Sequence, residues 1–404
     1  MARLRSTPGS IRLTRDAARL VALALALHSS GSRVEDRYWE TELATMLLKL
    51  MRANNDGAID AALDHLSQTN LGGYEVLIEQ AETLSESCTM TQDGKRYDVL
   101  LFVAPLVAWT RYSIPACEVP TGPAQALREN LQTHILARDT QVALFPHLTS
   151  LDQMPRTFCE TWEWLQKLGL AALGASYTAP TLNSEPEAFN MLADTRYLVA
   201  AVVVPEGKPL FRWQEEPGEL GKAREGCLEK WTEDTKSIFS TLLPGCGFEI
   251  LTPDAYYVSN RDADRCVRPL SVKAAVSWLG AALNIEAAQL RAVVAACGER
   301  RVDEYRIGFT QKNQNEVVYG CLWPTYGRED DEPLLDHEPP PVETIEEIAA
   351  LLKECGVNDI RRLPGILSPE FCEDCGAPYF PNPNGEMVHA ELPADAETAP
   401  THFH

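Results

Sequence analysis

Two cysteines near the end of the sequence, Cys372 and Cys375, form its single C-x2-C, and Gly376 follows them directly. That is the pattern of a zinc knuckle, in which two thiolates reach one metal from a tight turn and a glycine lets the backbone fold beneath the sulfurs. Tyr379-Phe380, Asn382-Pro383-Asn384-Gly385 and then Met387 to Leu392 read as a hairpin with an Asn-Gly turn. Such a hairpin carries His389 back toward the two sulfurs. His402 and His404 follow, so three of the chain's eight histidines lie on the C-terminal side of its C-x2-C. Tetrahedral zinc takes four nitrogen or sulfur ligands, and Cys372, Cys375, His389 and one of His402 or His404 would supply them. Four protein ligands leave no position for water, which predicts a structural zinc. With only three, a water takes the fourth place and Glu391 becomes a candidate base.

The spacing C-x2-C-x13-H-x12-H-x-H is not that of a common finger. A reduced thiol pair with incidental histidines therefore stays open, as does a redox dithiol, although Gly376-Ala377-Pro378 favours a turn over the helix start that redox pairs use. His389-Ala390-Glu391 has the H-x-E form of the zinc deaminases, but there the histidine precedes the cysteines, and here it follows them. Other chemistry is sparse. The sequence holds no G-x-x-x-x-G-K-[ST], H-E-x-x-H or G-x-S-x-G. Cys159 and Cys246 read as core thiols, His147 as a loop histidine, and Asp254, Tyr256 and Tyr257 as part of a strand.

Several elements must position these groups. Thr14 to His28, Glu35 to Arg52, Ala58 to Leu66 and Gly73 to Ser87 carry helical periodicity, so residues 1–90 are expected to form a helical N-terminal region. From Asp93-Gly94 onward strands and helices alternate. Tyr97 to Trp109, a helix from Ala124, Gln141 to Leu148 and a helix from Thr157 make a first α/β half, 91–185. Tyr197 to Val204 with a partner at Pro209–Trp213, a helix from Arg224, Phe248 to Val258 and Ser271 to Leu283 repeat that order in a second half, 186–326. The second half closes with the hairpin Tyr305–Thr310 and Glu316–Trp323. An acidic, proline-rich linker at 327–342 precedes a C-terminal helix and the knuckle at 343–404. The expected class is α+β: a helical N-terminal layer, two pseudo-repeated α/β halves and a small zinc-knuckle tail.

The chain has 404 residues and a formal net charge of −22, with 18 Asp and Glu against 4 Lys and Arg from Gly327 onward. That balance argues against nucleic-acid binding, which needs clustered cations. Eleven scattered cysteines fit a reducing compartment rather than a disulfide framework, and hence the cytoplasm. The apolar run Leu20 to Leu27 is far too short to span a membrane and is expected as a buried helix capped by Thr14.

LPGCGFE (243–249), PDAYYV (253–258), VDEYRIGFT (302–310), the segment VVYGCLWPTYGRED (317–330) and the tail motifs FCEDCGAP, VHAELP and HFH together resemble an uncharacterised betaproteobacterial family of chains about this long. The resemblance runs from about Thr14 to His404. It implies a bacterial cytosolic protein and carries no activity and no site residues. Two functions then compete. One is a binding or regulatory protein with an unidentified protein or small-molecule partner and a zinc-stabilised tail. The other is an enzyme, metal-dependent or built on a groove between the two α/β halves.

Overall fold

The computed structural model describes residues 13–110, 114–176, 178–182, 192–215, 220–298, 302–325 and 344–393. The stretch expected as a linker falls in 326–343, and His402 and His404 in 394–404, all outside the described residues. The architecture is α+β.

Four helices come first: α1 (Arg15–His28), α2 (Arg33–Arg52), α3 (Asp56–Thr69) and α4 (Leu71–Glu86). Thr14, Ser32 and Asn70 cap three of them, their side-chain oxygens accepting from the backbone N–H groups of Ala17, Glu35 and Gly73. Leu20 and Leu23 of the apolar run pack with Leu43, Leu47, Ile59 and Leu66 in one core. Among the described residues no helix is long and apolar enough to cross a membrane. At the junction of α1 and α4 a Cβ on Gly72 would stand 2.2 Å from the His28 ring, so a side chain there would push that exposed imidazole aside.

The chain then builds a sheet from β1 (Ser87–Gln92), β2 (Lys95–Trp109), β3 (Cys117–Glu118), β4 (Gln141–Thr149) and β5 (Ala193–Pro205), with α5 (Thr121–Asn130) and α6 (Phe158–Ala172) between strands. Beyond β5 come α7 (Leu220–Leu242), β6 (Gly247–Ile250), β7 (Asp254–Ala255) and α8 (Tyr256–Ala282). The strand order is β1-β2-β5-β4-β3, and β6 and β7 also pair with β2. β1, β7 and β6 occupy successive stretches of one edge of β2, while β5 runs antiparallel along its other edge from Tyr97↔Pro205 to Trp109↔Ala193.

Both faces of β2 and β5 are covered, which is why they read as unbroken apolar runs. Phe102, Ala104 and Leu106 pack with Leu131, Trp231 and Phe239, whereas Val99, Leu101 and Val103 pack with Trp164, Leu165 and Tyr256. The two long strands, one from each expected half, pair continuously, so both belong to one sheet.

Two local expectations fail for identifiable reasons. Pro209–Trp213 does not return as a strand, because the Gln214 side-chain oxygen accepts from the N–H groups of Leu210 and Phe211 at 2.8 and 2.9 Å and winds a short 3-10 turn over Arg212–Gln214. Tyr256 and Tyr257 begin a helix instead of ending a strand. The Glu86 carboxylate, distant in sequence, accepts the Tyr257 N–H at 2.9 Å and satisfies a helix-start donor.

The second sheet has the order β10-β9-β8-β11, formed by β8 (Leu290–Cys297), β9 (Glu304–Gln311), β10 (Tyr319–Pro324) and, after α9 (Thr344–Glu354), β11 (Asp359–Leu367). β11 adds in parallel to β8, so the segment after α9 is built into this sheet. α8 and α9 cover one face, where Val272, Leu279, Ile348 and Leu352 meet Ile307, Phe309 and Trp323. The opposite face receives the C-terminal hairpin of β12 (Phe380–Pro381) and β13 (Met387–Val388).

Candidate metal centre

Side chains alternate across a strand, so Arg306 and Gly308 of β9 face away from the core that Tyr305, Ile307 and Phe309 enter. The absence of side chains at two glycines makes room there. A Cβ on Gly308 would meet the Pro381 carbonyl oxygen at 2.2 Å, and one on Gly320 of β10 would meet the Phe380 ring at the same distance. The hairpin thus lies directly on the backbone of β9 and β10. Its outgoing end is pinned where the Glu391 N–H donates to the Val317 carbonyl at 2.9 Å.

Arg306 is fully buried and joins the sheet to the knuckle. Its Nε donates to Glu304 Oε1 at 2.6 Å, and its Nη1 donates to the carbonyls of Glu370 and Tyr379 at 2.6 and 2.7 Å. Those two carbonyls stand at the two ends of the knuckle. The guanidinium also lies 4.9 Å over the Phe371 ring. Between these ends the loop closes on itself: Phe371 bridges Pro378, the Cys372 N–H donates to the Ala377 carbonyl, and the Gly376 N–H donates to the Cys372 carbonyl. Gly376 has φ +72°, the left-handed conformation that glycine adopts without strain.

The hairpin turn is organised by Asn382, which is buried. Its Oδ1 accepts from the N–H groups of Asn384 and Glu386, and its Nδ2 donates to Glu386 Oε2 at 2.9 Å. Pairing of Phe380 with Val388 then returns the chain, as the Asn-Gly pattern predicted. One ligand atom each from Cys372, Cys375 and His389 lies within 4.8 Å of the others, and Cys375 Sγ is 3.2 Å from His389 Nε2. Tetrahedral zinc places two sulfurs about 3.8 Å apart and a sulfur and a nitrogen about 3.6 Å apart. The three side chains therefore form a Cys2His group able to hold a metal.

The surroundings favour the ligating forms. Backbone N–H groups of Cys375 and Asp374 hold the Cys372 thiol below its ordinary value, with further help from the Cys375 side chain and the Tyr379 hydroxyl. The same hydrogen bond to Cys372 raises the Tyr379 phenol, which stays neutral and donating. His389 turns Nε2 toward Cys375, while its Nδ1 lies 3.8 Å from Glu391 Oε1 and has no hydrogen-bond partner. Glu391 thus stands on the ring edge away from the sulfurs. That is where a carboxylate orients a ligating histidine, and it is the wrong side for a base acting on metal-bound water.

The chain belongs to the family described as protein of unknown function DUF2863, which it matches over residues 5–403. No curated protein and no solved structure matches it. The DUF2863 description names no ligand, so the metal reading rests on this geometry.

The remaining sequence candidates settle as packing groups. Cys159 lies in the helical core, where burial and then Asp56 push its thiol up to about 12. Burial also raises Cys246. His147 stacks on Phe145 with centroids 5.0 Å apart, and Asp254 pairs with Arg224 at 2.5 Å. The sequence places Asn382 in a turn and Arg306 among the charges at a hairpin end, but not Arg306, Gly308 and Gly320 as the seat of the knuckle. The signal was present: an arginine and a glycine two apart in an otherwise apolar strand mark one face that packs against something other than a core.

Proposed function

We propose that Cys372, Cys375 and His389 bind one zinc ion, with His402 or His404 as fourth ligand, and that the metal is structural. The convergence of two thiols and one imidazole nitrogen within 4.8 Å, from two loops anchored to the same sheet, carries this reading. Soft thiolate ligands select zinc over magnesium or calcium. The end of the chain has little apolar surface of its own to bury, and a bound zinc contributes on the order of 10 kcal/mol in zinc-finger peptides.

In this reading the halves 91–185 and 186–326 form the body of a binding or regulatory protein, and 343–404 is a C-terminal region whose knuckle is held together by zinc. Support for two related halves comes from the sheet order, in which β2 and β5 lie side by side with β4 beyond one and β6 and β7 beyond the other. The scattered free thiols suit a reducing bacterial cytosol, and the motif resemblance adds a betaproteobacterial source.

Cobalt substitution tests the ligand set. The parent protein should give thiolate charge-transfer absorption and the intense visible bands of tetrahedral cobalt. His389→Ala should abolish the tetrahedral spectrum, and the His402→Ala, His404→Ala pair should weaken it. An octahedral cobalt spectrum in the parent would remove the proposal.

A further inference from the structure

A second site is built on the first sheet and the helical layer, not on the sheet that carries the knuckle. A cavity of about 570 Å³ opens where α2, α4 and α6 meet β1 and the adjacent ends of β2 and β5. That volume falls within the usual range of small-molecule sites, which favour junctions between structural layers. Leu84, Leu100, Trp162 and Val204 supply an apolar lining.

The charges on its wall have an uneven distribution of partners. The two carboxylate oxygens of Asp98 accept from the Thr89 hydroxyl at 3.2 Å and the Gly207 N–H at 2.8 Å. Arg52 and Lys208 also line the cavity, and among the described residues neither makes an ion pair or side-chain hydrogen bond. Cys88 adds no negative charge, because burial pushes its thiol up to about 11. Gln166 donates through Nε2 to Cys88 Sγ at 3.4 Å, and no group of the described residues donates to its Oε1. In a chain of net charge −22, this is a hollow of mixed apolar and polar lining whose two cations have no side-chain partner among the described residues.

We infer that this cavity binds a small organic anion with a flat apolar body, its acid group held by Arg52 and Lys208 and its ring against Trp162. The apolar lining supplies the area that drives association, and the two cations select an acid over its neutral isostere. Neither cation belongs to a core, since both side chains are exposed at the cavity wall.

The test is calorimetric titration of the full-length protein with naphthoate and with its neutral isostere naphthamide. Naphthoate should bind saturably at one site per chain and at least tenfold more tightly than naphthamide. The R52E/K208E double variant should lose at least tenfold for naphthoate with little change for naphthamide. A second variant, Trp162→Ala, should weaken both ligands, with circular dichroism showing that the fold is retained. Absence of saturable naphthoate binding, equal affinity for the two compounds, or equal naphthoate affinity in the parent and R52E/K208E would overturn the inference. Since neither the probe nor the variants touch Cys372, Cys375 or His389, the result is independent of the zinc proposal.

Discussion

The seven-stranded sheet and the knuckle on the four-stranded sheet are held together by different physics. In the first, Leu101, Phe102, Val199 and Val202 are wholly buried, with Trp231 and Phe239 filling one face and Trp164 and Tyr256 the other. In the knuckle and its hairpin, burial is limited to residues such as Ala377, Phe380 and Pro381, and order comes from Arg306, Asn382 and backbone hydrogen bonds. Apolar area can specify a core without much precision in any one group. A small polar loop needs directional bonds, and two thiolates and an imidazole that converge on one metal would add strong ones.

The largest effect expected from this contrast is in the sheet. Trp231→Ala should cost about 4 kcal/mol in urea unfolding, through lost burial and a residual cavity, and should leave metal content unchanged. Arg306→Ala should cost about 3 kcal/mol, because it removes a buried guanidinium that ties Glu304 to the carbonyls of Glu370 and Tyr379. Unlike the tryptophan change it should also weaken metal binding. Arg306→Lys should not rescue it, since one ammonium cannot reproduce the planar fork. If both variants lost metal equally, the two regions would not be separable in the way described.

Glu86 sharpens the same comparison, being a buried carboxyl where the helical layer meets α8. Burial raises it from 4.5 to about 7, partly offset by the Tyr257 N–H. Its folded value lies above its unfolded one, so the native state holds the proton more tightly. Its contribution is fully present below about pH 4.5 and is lost as pH rises through about 7. Glu86→Gln should remove that slope and raise stability at pH 8 by on the order of 2–3 kcal/mol, as read by denaturant unfolding across pH. A variant less stable than the parent at pH 8 would contradict this. The smallest effect is expected at Glu391→Gln, which should weaken metal affinity about tenfold with little change in global stability, as a group that orients His389 from its far edge. Chelator competition would measure it.

Legibility in the sequence followed the range of the interactions. Thr14 as a cap and Asp93-Gly94 as a turn depend on neighbours in the chain, and both stand as expected. The alternation of Tyr305, Ile307 and Phe309 marked a strand face, and the Asn382–Gly385 pattern marked the turn that returns His389. What could not be read depends on distant partners. Tyr257 enters a helix because Glu86 caps it, and β11 joins β8 in parallel across a long connection. The role of Arg306 was hidden for the same reason, since its acceptors lie at Glu370 and Tyr379.

The most direct test of the metal centre is the zinc content of protein purified without chelator, measured by plasma mass spectrometry beside the Cys372→Ser, Cys375→Ser double variant. About one zinc per chain in the parent and almost none in the variant is the predicted result. Equal zinc in the two proteins, or a folded parent that carries none, would contradict a zinc site at Cys372, Cys375 and His389.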